Sequence, residues 1–130
     1  MKSLIICFNM FICAHVSYSQ DTSLHKLFNI YNLRSEIFDT WKHDKNGCKM
    51  LRNSYVEEII ANKRLIGMPQ NIFLKLFGNP EKISDKAIYS YVVNAKCDKK
   101  KKILKDTPRM ELFFIFKDNK LEYMNKLFVD

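Results

Sequence analysis

Residues 41–52, WKHDKNGCKMLR, hold the densest set of side chains that could do chemistry: a histidine, an aspartate, an asparagine and a cysteine close together. Asp-Lys-Asn-Gly is a common run inside calcium-binding EF-hand loops. With Gly47 at loop position 6, Asp44 and Asn46 fall at positions 3 and 5, but position 1 is Lys42 and position 12 is Asn53. Two essential oxygen ligands are missing, so the segment reads as an Asn-Gly turn rather than a cation site. A nucleophilic Cys48 would need a base, and His43 lies five residues before it, across that turn. Zinc would have to draw on Cys48, Cys97, His25 and His43, none of them in Cys-x-x-Cys or His-x-x-x-His spacing. Glu57 and Glu58 are adjacent on an expected helix, pointing about 100° apart, so they form no facing acid/base pair. There is no glycine-rich phosphate loop and no Gly-x-Ser-x-Gly elbow, and the chain has three glycines in all. The expectation is a protein that is not an enzyme, with no cofactor and no metal.

The ends of the chain explain the cysteine. Lys2, the apolar run Leu4 to Ala14 and the small residues around Ser17-Tyr18-Ser19 have the order of a secretory signal peptide, with cleavage before Gln20. The apolar run is too short to span a bilayer and Asn9 interrupts it. Cys13 raises lipid anchoring as an alternative, but Ile12 stands where a lipobox has a small residue. Export to the periplasm or the medium is therefore expected, with outer-membrane anchoring as the lesser reading. The expected divisions are a signal peptide at 1–19, an N-terminal helical segment at 20–46 and one domain at 47–130.

Loss of 1–19 leaves 111 residues, enough for one modest core. The formal charge of +8 falls to +7 without Lys2. In an exported chain this points to solubility, an acidic partner or anionic lipid, and not to nucleic acid. Cleavage also removes Cys7 and Cys13, so Cys48 and Cys97 remain as one pair and are expected to form a disulfide. Closing a loop of about 50 residues would contribute about 4 kcal/mol by chain-entropy arithmetic.

Several elements must position these groups. Leu24, Leu27, Phe28, Tyr31, Phe38 and Trp41 approximate a helical stripe that Ser23 could cap and that Asn32 to Ser35 interrupts. A second helix is expected from about Lys49 to Asn62, with Leu51, Tyr55, Ile59 and Ile60 apolar. In GMPQNIFLKLFGNP, Pro69 suits a first helical turn, Phe73, Leu76 and Phe77 share a face, Gly78 accepts a left-handed stop and Pro80 prevents continuation. The period then becomes 2: Ala87 to Val93 reads as a strand, and Met110 to Asp130 as two strands joined at Asp118-Asn119. A two-residue loop would pair Phe116 with Leu121 and Phe114 with Tyr123 on the core side. On the other side it would pair Ile115 with Glu122, Phe113 with Met124 and Glu111 with Lys126. Phe113, Ile115 and Met124, joined by Tyr89 or Tyr91, are then the candidate partner surface, unless the N-terminal segment covers them. Lys99, Lys100, Lys101, Lys102 and Lys105 read as a solvated loop able to approach anionic lipid.

Gly67-Met68, Phe73, Leu76-Phe77-Gly78 and Pro80, followed by a tyrosine-rich strand and a hairpin, resemble the BamE (SmpA/OmlA) domain of bacterial envelope proteins. Trp41-Lys42, Asp44-Lys45, Gly47-Cys48 and Arg52 are similar to a run in small exported proteins that carry this domain. The resemblance covers about residues 41–130; Pro69 departs from it, standing where the family has Ser or Thr. It implies an α+β fold of two helices packed on a three-stranded antiparallel sheet, with the N-terminal helical segment added. The implied role is protein contact, accessory to outer-membrane assembly. A related fold in secreted β-lactamase inhibitors makes enzyme inhibition an alternative, and a small hydrolase with an unrecognised site is a third. A protein partner in the cell envelope and a monomeric state are expected.

Overall fold

In the β-hairpin at the C-terminus the turn is dictated by two residues. Asp118 and Asn119 take φ of 52° and 63°, the conformation of a type I′ turn, which short polar side chains tolerate and which matches the twist of paired strands. The computed structural model describes residues 24–130; the expected signal peptide, its cleavage site, the Ser23 cap, Cys7 and Cys13 lie outside the described residues. Helical backbone runs over 24–30 and ends at Asn32, whose φ of 54° breaks the stripe where the sequence suggested. The chain divides after Leu33 into two compact units. All that follows concerns the second, Arg34–Asp130.

Its sheet has four antiparallel strands in chain order: β1 (Lys82–Ser84), β2 (Ile88–Asn94), β3 (Arg109–Lys117) and β4 (Lys120–Val129). The mixed α+β class is as expected, but the three-stranded sheet is one strand short. β1 has only three residues, too few to show alternation, and it turns into β2 through Asp85 and Lys86 at φ of 51° and 58°. Between β3 and β4, Phe116 faces Leu121 as expected, and then β4 carries an extra residue at Glu122. This bulge moves every later pair by one. Ile115 faces Tyr123, Phe114 faces Met124, Phe113 faces Asn125 and Glu111 faces Leu127. The bulge sends Met124 into the core and Tyr123 out of it, where the tyrosine hydroxyl accepts a hydrogen bond from Asn125 Nδ2 at 2.9 Å.

Three helices lie on one face of this sheet: α1 (Ser35–His43), α2 (Val56–Ala61) and α3 (Gln70–Phe77). Ile37, Phe38 and Trp41 form the buried stripe of α1, so this part of the N-terminal segment belongs to the main core. The expected helix 49–62 is shorter: its first half is a 3-10 turn, Arg52–Tyr55. The Ser54 hydroxyl donates to the Leu51 carbonyl at 2.7 Å, a local bond that competes with the regular helical pattern. Phe73 sits at the centre, its ring within 4.4–6.1 Å of Phe77, Tyr89, Tyr91, Phe114 and Phe116. Phe38 and Trp41 meet Phe77 edge-on at 5.0 and 5.6 Å, so the core is a continuous aromatic cluster of stacked, tilted and edge-on contacts.

The residues around Pro69 form an additional edge. Gly67 N–H donates to the Leu121 carbonyl (2.7 Å), Leu121 N–H to Met68 (2.9 Å) and Gln70 N–H to Asn119 (2.8 Å). Pro69 thus precedes α3 rather than opening it, and a hairpin carbonyl replaces the missing side-chain cap. At the other end Gly78 has φ 77° and ψ −173°. This is not the left-handed helical conformation expected at the stop, but a region that is essentially glycine-only. A Cβ there would meet only the Lys42 side chain, at 3.6 Å, so the cost of substitution is in the backbone. Gly78→Ala and Gly78→Val should each lower stability by about 1–3 kcal/mol, read as a fall in urea midpoint at constant slope. An unchanged midpoint for Gly78→Ala would rule that conformation out.

Candidate functional site

The Trp41–Arg52 segment is built as a buried junction. Asp44 is 1% exposed, and its two carboxylate oxygens accept the backbone N–H groups of Lys49 (2.8 Å) and Arg52 (3.0 Å). Those oxygens hold the turn together instead of facing a cation. Asn46 and Gly47 take φ of 65° and 66°, and the Gly47 α-carbon lies directly on the backbone of β2. Cys48 and Cys97 are bonded, with α-carbons 5.6 Å apart, linking this turn to the chain beyond β2. The disulfide occupies both sulfurs, and His43 Nδ1 is turned to the Asp39 carbonyl of its own helix.

Arg52, 2% exposed, completes the junction. Its guanidinium donates to the carbonyls of Trp41 (2.8 Å) and Val92 (2.9 Å) and pairs with Glu81, which also accepts the Val92 N–H at 2.8 Å. It lies 5.2 Å over the Trp41 ring and 5.6 Å over the Tyr91 ring. Burial, reinforced by the Glu81 carboxylate, pushes the Tyr91 hydroxyl well above the ordinary tyrosine value. It therefore stays protonated and donates to the Gly78 carbonyl at 2.7 Å, tying the end of α3 to the sheet. Glu57 and Glu58 diverge as expected, Glu57 to Lys126 on β4 and Glu58 to Arg34.

The expected partner surface is only partly assembled. Tyr89, Tyr91 and Met124 are buried on the helix side of the sheet, which removes them from it. Tyr89 and Tyr91 pair with Phe114 and Leu112, so their side chains share the core face, and the Glu122 bulge carries Met124 there too. Phe113 and Ile115 do point to the opposite face. Their neighbours in register are Ser90 and Ile88 on β2 and Asn125 and Tyr123 on β4. Tyr123 is 47% exposed and its ring lies 6.1 Å from that of Phe113; Leu127, on the same face, is 52% exposed. Ile88 was hidden because β2 is apolar at both parities, and Tyr123 was displaced from view by the bulge. The motif residues Gly67, Met68, Phe73, Gly78 and Pro80 lie on the helix side or at its edges and serve the fold.

The lysine loop is ordered by its own aspartate. Asp98 Oδ1 accepts the N–H groups of Lys100 (2.8 Å) and Lys102 (3.0 Å), and the Asn46 side chain donates to the Lys101 carbonyl at 3.0 Å. The basic loop is thereby brought against the Asn-Gly turn. Among the described residues no helix is long and apolar enough to cross a membrane, and no three His, Cys, Asp or Glu side chains converge as a metal site.

No family model, curated protein or solved structure matches the chain.

Proposed function

We propose that this is a non-catalytic, exported protein-binding module that docks its partner on the sheet face opposite the helices. The observation that carries the reading is the row of Ile88, Phe113, Ile115, Tyr123 and Leu127 on one face of β2–β4, while α1, α2 and α3 pack on the other. Aromatic and aliphatic side chains presented together, with polar Ser90 and Asn125 between them, have the composition of an interface core. The buried Asp44 and Arg52 and the half-buried Glu81 are engaged in structural bonds and the cysteines in each other, which favours binding over catalysis. The signal-like N-terminus and the resemblance to BamE domains favour a partner in the cell envelope. Inhibition of an exported enzyme would use the same face.

Capture from envelope extract with the mature protein tests this. Tyr123→Glu and Leu127→Glu, both at exposed positions, should abolish recovery of the partner while shifting the melting temperature by less than about 2 °C. Full capture by both folded variants rejects the face as the docking site, and substrate turnover by the isolated chain rejects a purely binding role. A stoichiometric complex with an enzyme would select inhibition over assembly.

A further inference from the structure

We propose that the cleft between the Asn-Gly turn and the lysine loop is a binding site for a phosphate-type dianion, separate from the protein-docking face. The cleft has a volume of about 380 Å³ and is lined by His43, Lys45, Lys49, Lys100, Lys101 and Lys102. The lysines come from segments more than fifty residues apart in sequence. The Cys48–Cys97 bond and the Asn46–Lys101 hydrogen bond hold the two walls together.

The charge of these lysines exceeds that of the two carboxylates nearest them in the fold, Asp44 and Asp98. Asp44 faces the cleft, but its oxygens accept the Lys49 and Arg52 backbone N–H groups. Asp98, in the same loop, directs Oδ1 to the Lys100 and Lys102 backbone N–H groups. Among the described residues, none of the five lining lysines forms an ion pair. Five lysines lining one recess repel one another, and a compact anion relieves that repulsion. Lysine is a hydrated point charge, so the fit is to an anion of high charge density rather than to the planar, bidentate geometry that arginine selects. A phosphomonoester or pyrophosphate carries two or more charges on a group small enough for the cleft. A single carboxylate would gain half as much, and a cleft of this size does not track a nucleic-acid backbone.

The same chemistry is offered by soluble phosphate esters and by lipid phosphomonoesters, and two probes separate these sources. Calorimetric titration of the mature, oxidised protein with inorganic pyrophosphate should show one saturable site that weakens as salt rises. Lys49→Gln/Lys102→Gln removes one charge from each wall without touching a side-chain hydrogen bond, and should weaken binding about tenfold. Lys63→Gln/Lys82→Gln makes the same change in net charge away from the cleft and should leave affinity within about twofold. Co-sedimentation with phosphatidylcholine vesicles containing phosphatidic acid then assigns the source. Vesicle binding displaced by pyrophosphate identifies a lipid headgroup, and pyrophosphate binding without vesicle binding identifies a soluble ester. Absence of pyrophosphate binding, or equal weakening in the two double variants, overturns the site.

Discussion

Gly47→Ala should destabilise the folded domain by at least about 3 kcal/mol, far more than the same change at Gly67. Both glycines have positive φ, 66° and 91°, so both substitutions carry the strain of a side chain in that conformation. They differ in what the new methyl meets. At Gly67 no atom lies within 4 Å, whereas at Gly47 a Cβ would sit 2.7 Å from Asn94 N, 2.7 Å from Val93 C and 2.8 Å from Val92 O. These are backbone atoms of a central strand, held by β3 on one side, and cannot turn aside as a long side chain would. Accommodation would require the turn to lift off β2, breaking the Ala95 N–H to Gly47 carbonyl bond and pulling on the disulfide next to it. Urea denaturation of both variants under oxidising conditions measures the difference. Equal losses would show that contact with β2 is not what requires glycine at position 47.

The features legible in the sequence are those settled within a few residues. Asp118-Asn119 specifies its turn, Gly78-Asn79-Pro80 its helix end, and the apolar spacing of Phe73, Leu76 and Phe77 its buried face, because each acts through local backbone or one helical turn. Cys48 and Cys97 were paired by arithmetic rather than geometry, and the bond is present. What was hidden depends on contacts made elsewhere. The extra residue at Glu122 follows from which of Tyr123 and Met124 fits beside Phe114, a choice between two apolar side chains that alternation cannot make. One unread bulge was enough to place Met124 on the wrong face. Tyr89 and Tyr91 were misplaced for a different reason: a strand rich in apolar residues at both parities offers two plausible core faces, and only packing against Phe73 and Phe114 decides between them. The cleft has the same character. Its lysines are visible as a run, but Lys45 and Lys49 join them only through the long loop closed by the disulfide.

The Arg52–Glu81 pair, 29 residues apart in sequence, left no signal at all, and its disruption is the other large effect expected. Arg52→Met keeps most of the apolar stem packed against Trp41 and Tyr91 but removes the charge. Glu81, whose side chain is 10% exposed, is then left with the Val92 N–H as its remaining partner. Removing one member of a buried ion pair costs about 3–5 kcal/mol because the other charge stays desolvated, so Arg52→Met should shift the urea midpoint sharply. Two carbonyls, those of Trp41 and Val92, also lose their donor. Those two losses persist when Glu81 is replaced as well, whereas the stranded carboxylate does not. Arg52→Met/Glu81→Met should therefore recover part of the lost stability, with the two carbonyls and the Val92 N–H, which loses its Glu81 acceptor, accounting for the rest. The recovery separates two roles for the arginine, as counter-ion and as backbone donor. A double variant no more stable than Arg52→Met alone would show that the stranded carboxylate costs no more than the Val92 N–H left without its acceptor, and would assign the larger part of the effect to the donor role.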